Sequence, residues 1–172
     1  MARGALHSPP EQLVLRHRHS LTNVLLLGGS ASERLRLARA FHRESPLRLG
    51  SFVPVDCARQ EAALRAALSG WVSAAGPGPT AHGLQSAEHG TLFLDDVDRL
   101  GVDSQRLLMT LATSSLGDRW FAESTPRVGR LVCGNAADLA TVAAEGRFLP
   151  ALFDALDKIR VELDVVSRGG AA

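Results

Sequence analysis

An α/β fold with a mostly parallel sheet between layers of helices is what this sequence predicts, on three observations. Short apolar runs alternate with stretches of helical period along most of the chain. The run "NVLLL", Asn23 to Leu27, breaks into glycines and is followed at once by a helical pattern. The most apolar run, "TLFL" at Thr91 to Leu94, ends in the acidic pair Asp95 and Asp96. A length of 172 residues suffices for one well-cored domain, and 45% hydrophobic with 22% charged residues describes a soluble globular chain, not a disordered or membrane-embedded one.

Taken in order, "NVLLL" suits a strand covered on both faces, and Glu33 to His42 carries Leu35, Leu37, Ala38 and Phe41 as a helical stripe. "SFVPV" is a second strand, and Arg59 to Gly70, "RQEAALRAALSG", is a helix of strong formers closed by Gly70. Trp71 to Gly83, rich in Gly, Pro and Ala, reads as a surface loop. After the third strand, Thr91 to Leu94, the spacing of Leu107, Leu108 and Leu111 predicts a helix over Asp103 to Leu111. "SSLGDRWFAESTPRVG" predicts a rim hairpin with Trp120 and Phe121 on its inner side. "RLVC" is the fourth strand, "ALFDALD" a short helix, and "IRVELDV" a last strand of period two. The predicted core comprises Val24, Leu26, Phe52, Val53, Leu92, Phe93, Leu94, Leu131, Val132 and Val161. Residues 1–22 form a lead-in, 23–165 the α/β domain and 166–172 a flexible tail.

Charge and cysteine usage exclude several classes. The net charge is +1 and the basic residues are scattered, so no nucleic-acid footprint is expected. "RHRHS", Arg16 to Ser20, reads as a solvated helix face. No apolar run approaches the roughly 20 residues a bilayer requires, and the N-terminal stretch lacks the apolar segment of a secretory signal. A cytoplasmic protein without membrane contact is the expectation. Cys57 and Cys133 flank predicted strands and read as small buried hydrophobes, with no metal site.

The candidate chemistry lies at the ends of two strands. In the phosphate-binding pattern GxxxxGK[ST], glycines bring backbone N–H groups against phosphates and a lysine reaches the terminal ones. "GGSASERL" begins that pattern at Gly28 but puts Glu33 at the second glycine, Arg34 at the lysine and Leu35 at the hydroxyl. Glu33 brings negative charge to a helix N-terminus suited to anions, and Arg34 offers a planar fork in place of a compact ammonium. Local structure accounts for the same residues: a turn at Gly28 and Gly29, Ser30 or Ser32 as the helix cap, and Glu33 in the first turn. Asp95 and Asp96 stand where a magnesium-coordinating acid and a water-activating acid would stand, and they also suit a plain strand exit.

These stretches, in this order, resemble the central AAA+ domain of the bacterial enhancer-binding proteins, the activators of sigma-54 RNA polymerase. "VLLLGGS" with "ARAFHRESP" is similar to that family's first strand and helix, "FVPVDCA" to its second strand, and "GTLFLDDVDRL" to its Walker B segment. "GNAADL" resembles the sensor I region and "EGRFLPALFDALDKIRVEL" the segment bearing the arginine fingers. The resemblance implies a P-loop three-layer sandwich with five strands in the order 5-1-4-3-2. The chain stops before the family's C-terminal helical lid, so a domain lacking that lid is expected.

By the same resemblance the phosphate-loop lysine falls on Arg34, the Walker B glutamate on Asp96, and the asparagine that restrains it on Asp56. The arginine fingers fall on Leu149 and Ala155, while Asn135 remains at the sensor I asparagine. "LSGW" resembles the start of the sigma-contacting loop, but the GAFTGA sequence does not follow. The site residues are therefore Gly28, Gly29, Ser30, Ser32, Glu33, Arg34, Asp95, Asp96 and Asn135, read as a vestigial nucleotide site. The expectation is a catalytically inactive regulatory or protein-interaction module without enzymatic activity or cofactor, with a protein partner and scope for homo-oligomers. The alternative is a diverged domain of a sigma-54-dependent regulator that binds ATP and magnesium, the metal at Asp95.

Overall fold

The period-two alternation within each apolar run decides the layers. The structure, a computed structural model, describes residues 9–73, 83–113 and 128–163. Strand β1, Val24–Gly28, sends Leu25 and Leu27 to one face of a sheet and Val24 and Leu26 to the other. Strand β3, Thr91–Asp95, divides in the same way, with Leu92 and Leu94 opposite Phe93. Strand β4, Arg130–Asn135, sets Leu131 and Cys133 against Val132. Both faces are apolar, so both must be covered by helices.

Helices α1, Pro10–Arg16, and α2, Ala31–Arg43, cover the face of Val24, Leu26, Phe93 and Val132. Helices α3, Glu61–Val72, α4, Val102–Thr113, α5, Leu139–Ala144, and α6, Pro150–Leu156, cover the other. With β2, Phe52–Asp56, and β5, Ile159–Leu163, the sheet runs β2-β3-β4-β1-β5, every pair parallel. This is the order the resemblance implied. Because all strands point one way, Gly28, Asp56, Asp95 and Asn135 finish at the same edge, with Asp56 directly opposite Asp95 and Leu27 opposite Asn135. In such sheets the crevice beyond the strand C-termini is where ligands sit.

Several expectations are corrected. Gly70 does not close α3; the helix runs on to Val72, and Trp71, read as the first loop residue, is buried on the face of Leu64, Ala67 and Leu68. Core packing of a large aromatic outweighs the helix-weakening effect of one glycine. The arginine that opens "RHRHS" ends α1, and His17 caps it, so the segment is a turn. Helix α1 itself, opened by Pro10 and pinned by buried Val14, lies in what was read as a lead-in. Phe52 and Val53 are only partly buried because β2 is an edge strand. The other predicted core residues are buried, as are Cys57 and Cys133, whose thiols burial pushes far above the ordinary range. The hairpin with Trp120 and Phe121 lies outside the described residues. Among the described residues, no helix is long and apolar enough to cross a membrane.

Candidate functional site

The bend after β1 is made by two consecutive left-handed glycines, Gly28 at φ 84° and Gly29 at φ 61°. A side chain is excluded at the first by space as well as by conformation, since a Cβ there would lie 2.7 Å from the Leu163 carbonyl oxygen. Ser30, extended in backbone, then caps α2 by accepting the Glu33 N–H at 3.1 Å. Ser32 stands exposed in the first turn, and the Glu33 side chain folds back against Gly29. The cap is therefore Ser30, of the two serines considered.

Arg34 follows from helix period. It lies three and four residues before Leu37 and Ala38, on the buried face of α2, and only 3% of its side chain is exposed. A guanidinium cannot stay charged there without partners. Its Nε donates to Asp95 Oδ1 at 2.7 Å and its Nη2 to Asp95 Oδ2 at 3.2 Å. Its Nη1 donates to the carbonyls of Gly28 at 2.9 Å and Gly29 at 3.0 Å. Nη2 also lies 3.6 Å from Asp96 Oδ1. Every guanidinium nitrogen is engaged, and the glycine bend turns carbonyls, not amides, toward the cation.

Asp95 closes β3 with 15% of its side chain exposed. The next strand makes room for it at Gly134, where a Cβ would lie 2.6 Å from Asp95 Oδ1 and 3.2 Å from Arg34 Cδ. Gly134 is thus part of the site by absence of a side chain. Asp96 leaves the strand in the left-handed region at φ 56° and ψ 50°, an uncommon conformation for a side-chain-bearing residue. Burial first, then the charge of Asp95, raise its pKa; Arg34 opposes, and Asp98 and Asp56 add smaller upward contributions. The repulsion between Asp56 and Asp96 is minor. Asp56 is occupied locally, with Oδ1 accepting the Ala58 N–H at 2.9 Å and Oδ2 3.7 Å from Arg59.

An open cleft of about 380 Å³ lies beside this cluster, with Ser32, Asp56 and Asp96 among its polar lining and Leu35, Pro54 and Phe93 among its apolar lining. Asn135 is fully buried and committed to the fold: Oδ1 accepts the Asp98 N–H at 3.2 Å and Nδ2 donates to the Ala137 carbonyl at 3.0 Å. Leu149 lies next to α6 as its N-cap and packs on the core, and Ala155 is buried within α6. The structure thus brings together Gly28, Gly29, Glu33, Arg34, Asp95 and Asp96, and uses Asn135 to hold the turn after Asp96. The sequence already held the signal for Arg34, an arginine on an apolar stripe with a carboxylate pair at a neighbouring strand end.

These residues fit a nucleotide and magnesium in kind. The capped N-terminus of α2 is of a kind that suits phosphates, Arg34 is a cation beside it, and Asp95 is a carboxylate of the kind that ligates magnesium. In the conformation seen, Arg34 itself fills the space between bend and carboxylate.

Residues 8–162 match the family described as the Sigma-54 interaction domain. The chain is 33% identical over 147 residues to the acetoin catabolism regulatory protein of Cupriavidus necator, covering 82% of this chain and 22% of that protein. It is 30% identical over 149 residues to the regulatory protein AtoC of Escherichia coli, covering 84% and 32% respectively. It therefore spans about a fifth to a third of these relatives. In fold it is similar to NtrX from Brucella abortus in complex with ATP, at TM-score 0.68 and 23% identity, covering 90% of this chain and 34% of that one. A second crystal structure of NtrX contains ADP.

These relatives overturn the expectation of a site with no cofactor and no enzymatic activity. The departures at Glu33, Arg34 and Asp96 change side chains on an intact scaffold, and NtrX carries ATP on a scaffold of this fold. Loss of individual side chains was too narrow a ground for inferring an empty site. With the strand order, the glycine bend, the acid that closes β3 and a match over nearly its whole length, the chain belongs to the sigma-54 interaction domain family.

Proposed function

We propose that this chain is a diverged ATP-binding AAA+ domain of a cytoplasmic, sigma-54-dependent transcriptional regulator, acting through contacts with protein partners. One observation carries the reading. A cation from the first turns of α2 meets the carboxylate that ends β3, directly under a left-handed Gly28–Gly29 bend. That is the meeting of positive charge, helix N-terminus and metal-ligating acid on which phosphate binding depends.

Gly29, Ser30 and Ser32 would face the phosphates, Arg34 would neutralise them, and Asp95 would hold magnesium. Magnesium, when bound, neutralises phosphate charge and polarises the terminal phosphoryl group. Asp96, which follows Asp95 in the chain and whose pKa is raised by burial and then by the Asp95 charge, would be the carboxylate that handles a proton or water. Leu149 and Ala155 supply no charge, so stabilisation of a transferring phosphoryl group rests on other side chains. Residues 23–165 form the working unit in this reading, with α1 braced against α2.

Calorimetric titration with Mg-ATP tests the proposal. Saturable binding is expected, with a dissociation constant between about 10 μM and 1 mM, equivalent to roughly 7 to 4 kcal/mol. Asp95→Asn should remove its dependence on magnesium. No saturable binding by either the natural chain or Arg34→Lys would refute the reading.

A further inference from the structure

The Gly28–Gly29 bend is built around a cation. In an anion cradle, successive backbone N–H groups face the ligand. Here the carbonyls of Gly28 and Gly29 both accept from Arg34 Nη1. Both Asp95 oxygens accept from the other two guanidinium nitrogens, and Asp96 Oδ1 lies 3.6 Å from Nη2. Carboxylate and carbonyl oxygens are also the ligands a hard divalent cation takes. Arg34 therefore sits among oxygens of the kind a divalent cation takes, while every one of its guanidinium nitrogens is already engaged.

We infer that Arg34 is an autoinhibitory latch: it competes with a divalent cation for Asp95, and nucleotide enters only as the guanidinium leaves that carboxylate. The inference rests on the nucleotide-binding reading above and adds its regulation. Two features make the closed state the resting one. The Arg34 side chain is 3% exposed, so Coulomb attraction to Asp95 is weakly screened. Its planar fork matches both carboxylate oxygens at once, which an ammonium at this position cannot do. Gly134 supports the same state, since its missing Cβ is what admits Asp95 Oδ1 and Arg34 Cδ side by side. Release turns the same side chain from a competitor of the metal into a partner for phosphate. The residue that departs from the family lysine thereby sets a threshold for loading, not a block.

The latch is tested first without nucleotide, using Mn²⁺ alone followed by electron paramagnetic resonance. Arg34→Ala and Arg34→Lys should bind Mn²⁺ at least about tenfold more tightly than the natural chain, the size expected when a competing internal group is removed. Methylguanidinium should displace Mn²⁺ from Arg34→Ala and leave Arg34→Lys less affected. Equal Mn²⁺ affinity in all three proteins overturns the latch.

Should either variant fail to fold, the natural chain still decides. Its Arg34 Nε–H should give a slowly exchanging proton resonance that millimolar Mg²⁺ leaves in place and Mg-ATP removes. Exchange as fast as that of an exposed arginine overturns the proposal. A final titration with Mg-ATP separates the two ideas. Tighter Mn²⁺ binding by the variants with no nucleotide bound by any protein retains the cation latch on Asp95 but sinks the nucleotide reading, and with it the latch's role in loading. Saturable nucleotide with unchanged Mn²⁺ affinity does the reverse.

Discussion

Gly134 shows how much one missing methyl group can carry. Its neighbours in the sheet are fixed by parallel pairing, so a Cβ at 2.6 Å from Asp95 Oδ1 has no route of escape along the strand. The carboxylate would have to move, and with it the bidentate geometry to Arg34. Gly134→Ala is expected to cost at least about 2 kcal/mol, combining overpacking with damage to a buried ion pair. Urea unfolding of the variant measures it, and a change under about 0.5 kcal/mol would show that the strand end is looser than described.

At the scale of elements, a buried polar side chain ties together segments whose helices already share an apolar core. Gln105, buried near the start of α4, donates from Nε2 to the carbonyls of Leu100 at 2.8 Å and Arg147 at 3.3 Å, and accepts the Leu149 N–H at 2.9 Å. One amide thus joins the turn after β3, the start of α4 and the entry to α6. Gln105→Leu keeps the volume and strands three backbone groups, which should cost about 2–4 kcal/mol. A shift in the urea midpoint with unchanged slope would report that loss; a neutral result would mean water replaces the amide.

The elements were legible in the sequence where burial is two-sided or amphipathic: β1, β3, α2 and α4 follow from apolar runs and stripes. Helices α1 and α5 were not, because they bury only Val14 and only Leu139 with Val142, too few apolar positions to mark a stripe. The end of α3 was missed for another reason. Trp71 continues a buried face beyond a glycine that usually ends one. At the site, the positions of Gly28, Asp95 and Asp96 could be read from strand ends. That Arg34 turns inward could have been read as well, since it shares a face with Leu37, Ala38 and Phe41. The inward carbonyls could not, because peptide orientation at a double-glycine bend leaves no mark in composition.

Across the whole molecule, charge is arranged by the direction of the sheet. The acids Asp56, Asp95 and Asp96 gather where strands end, and a cluster of cations gathers where they begin. Arg130, at the start of β4, is buried with its Nη2 unpartnered among the described residues and its guanidinium 5.4 Å from the Phe41 ring centre; burial brings its pKa down to about 10. Two histidines lie in its field. His42 is held between the Thr91 hydroxyl at 2.8 Å and the Gly50 carbonyl at 3.1 Å. The carbonyl only accepts, so Nε2 donates to it and Nδ1 takes the hydroxyl proton, which is the neutral imidazole. Burial first, then Arg130 and Arg39, lower the pKa of His42 against the opposing pull of Gly50, and burial, Arg16 and Arg130 lower that of His17. Both folded-state values therefore lie below the ordinary 6.5, so on acidification the unfolded chain takes up protons before the folded one. Stability from these groups is complete above about pH 6.5 and is lost as pH falls from there through the folded values. Asp96 acts in the opposite sense, at lower pH, between its raised folded value and 3.8. Urea midpoints should accordingly be level from about pH 8 to 7 and fall from about pH 6.5 to 5.5. His42→Gln, which can still donate to Gly50, should flatten the fall without abolishing it, because His17 remains. A midpoint that holds or rises on acidification in the natural chain would mean that the cationic end of the sheet is solvated, and that its charges do not reach the histidines.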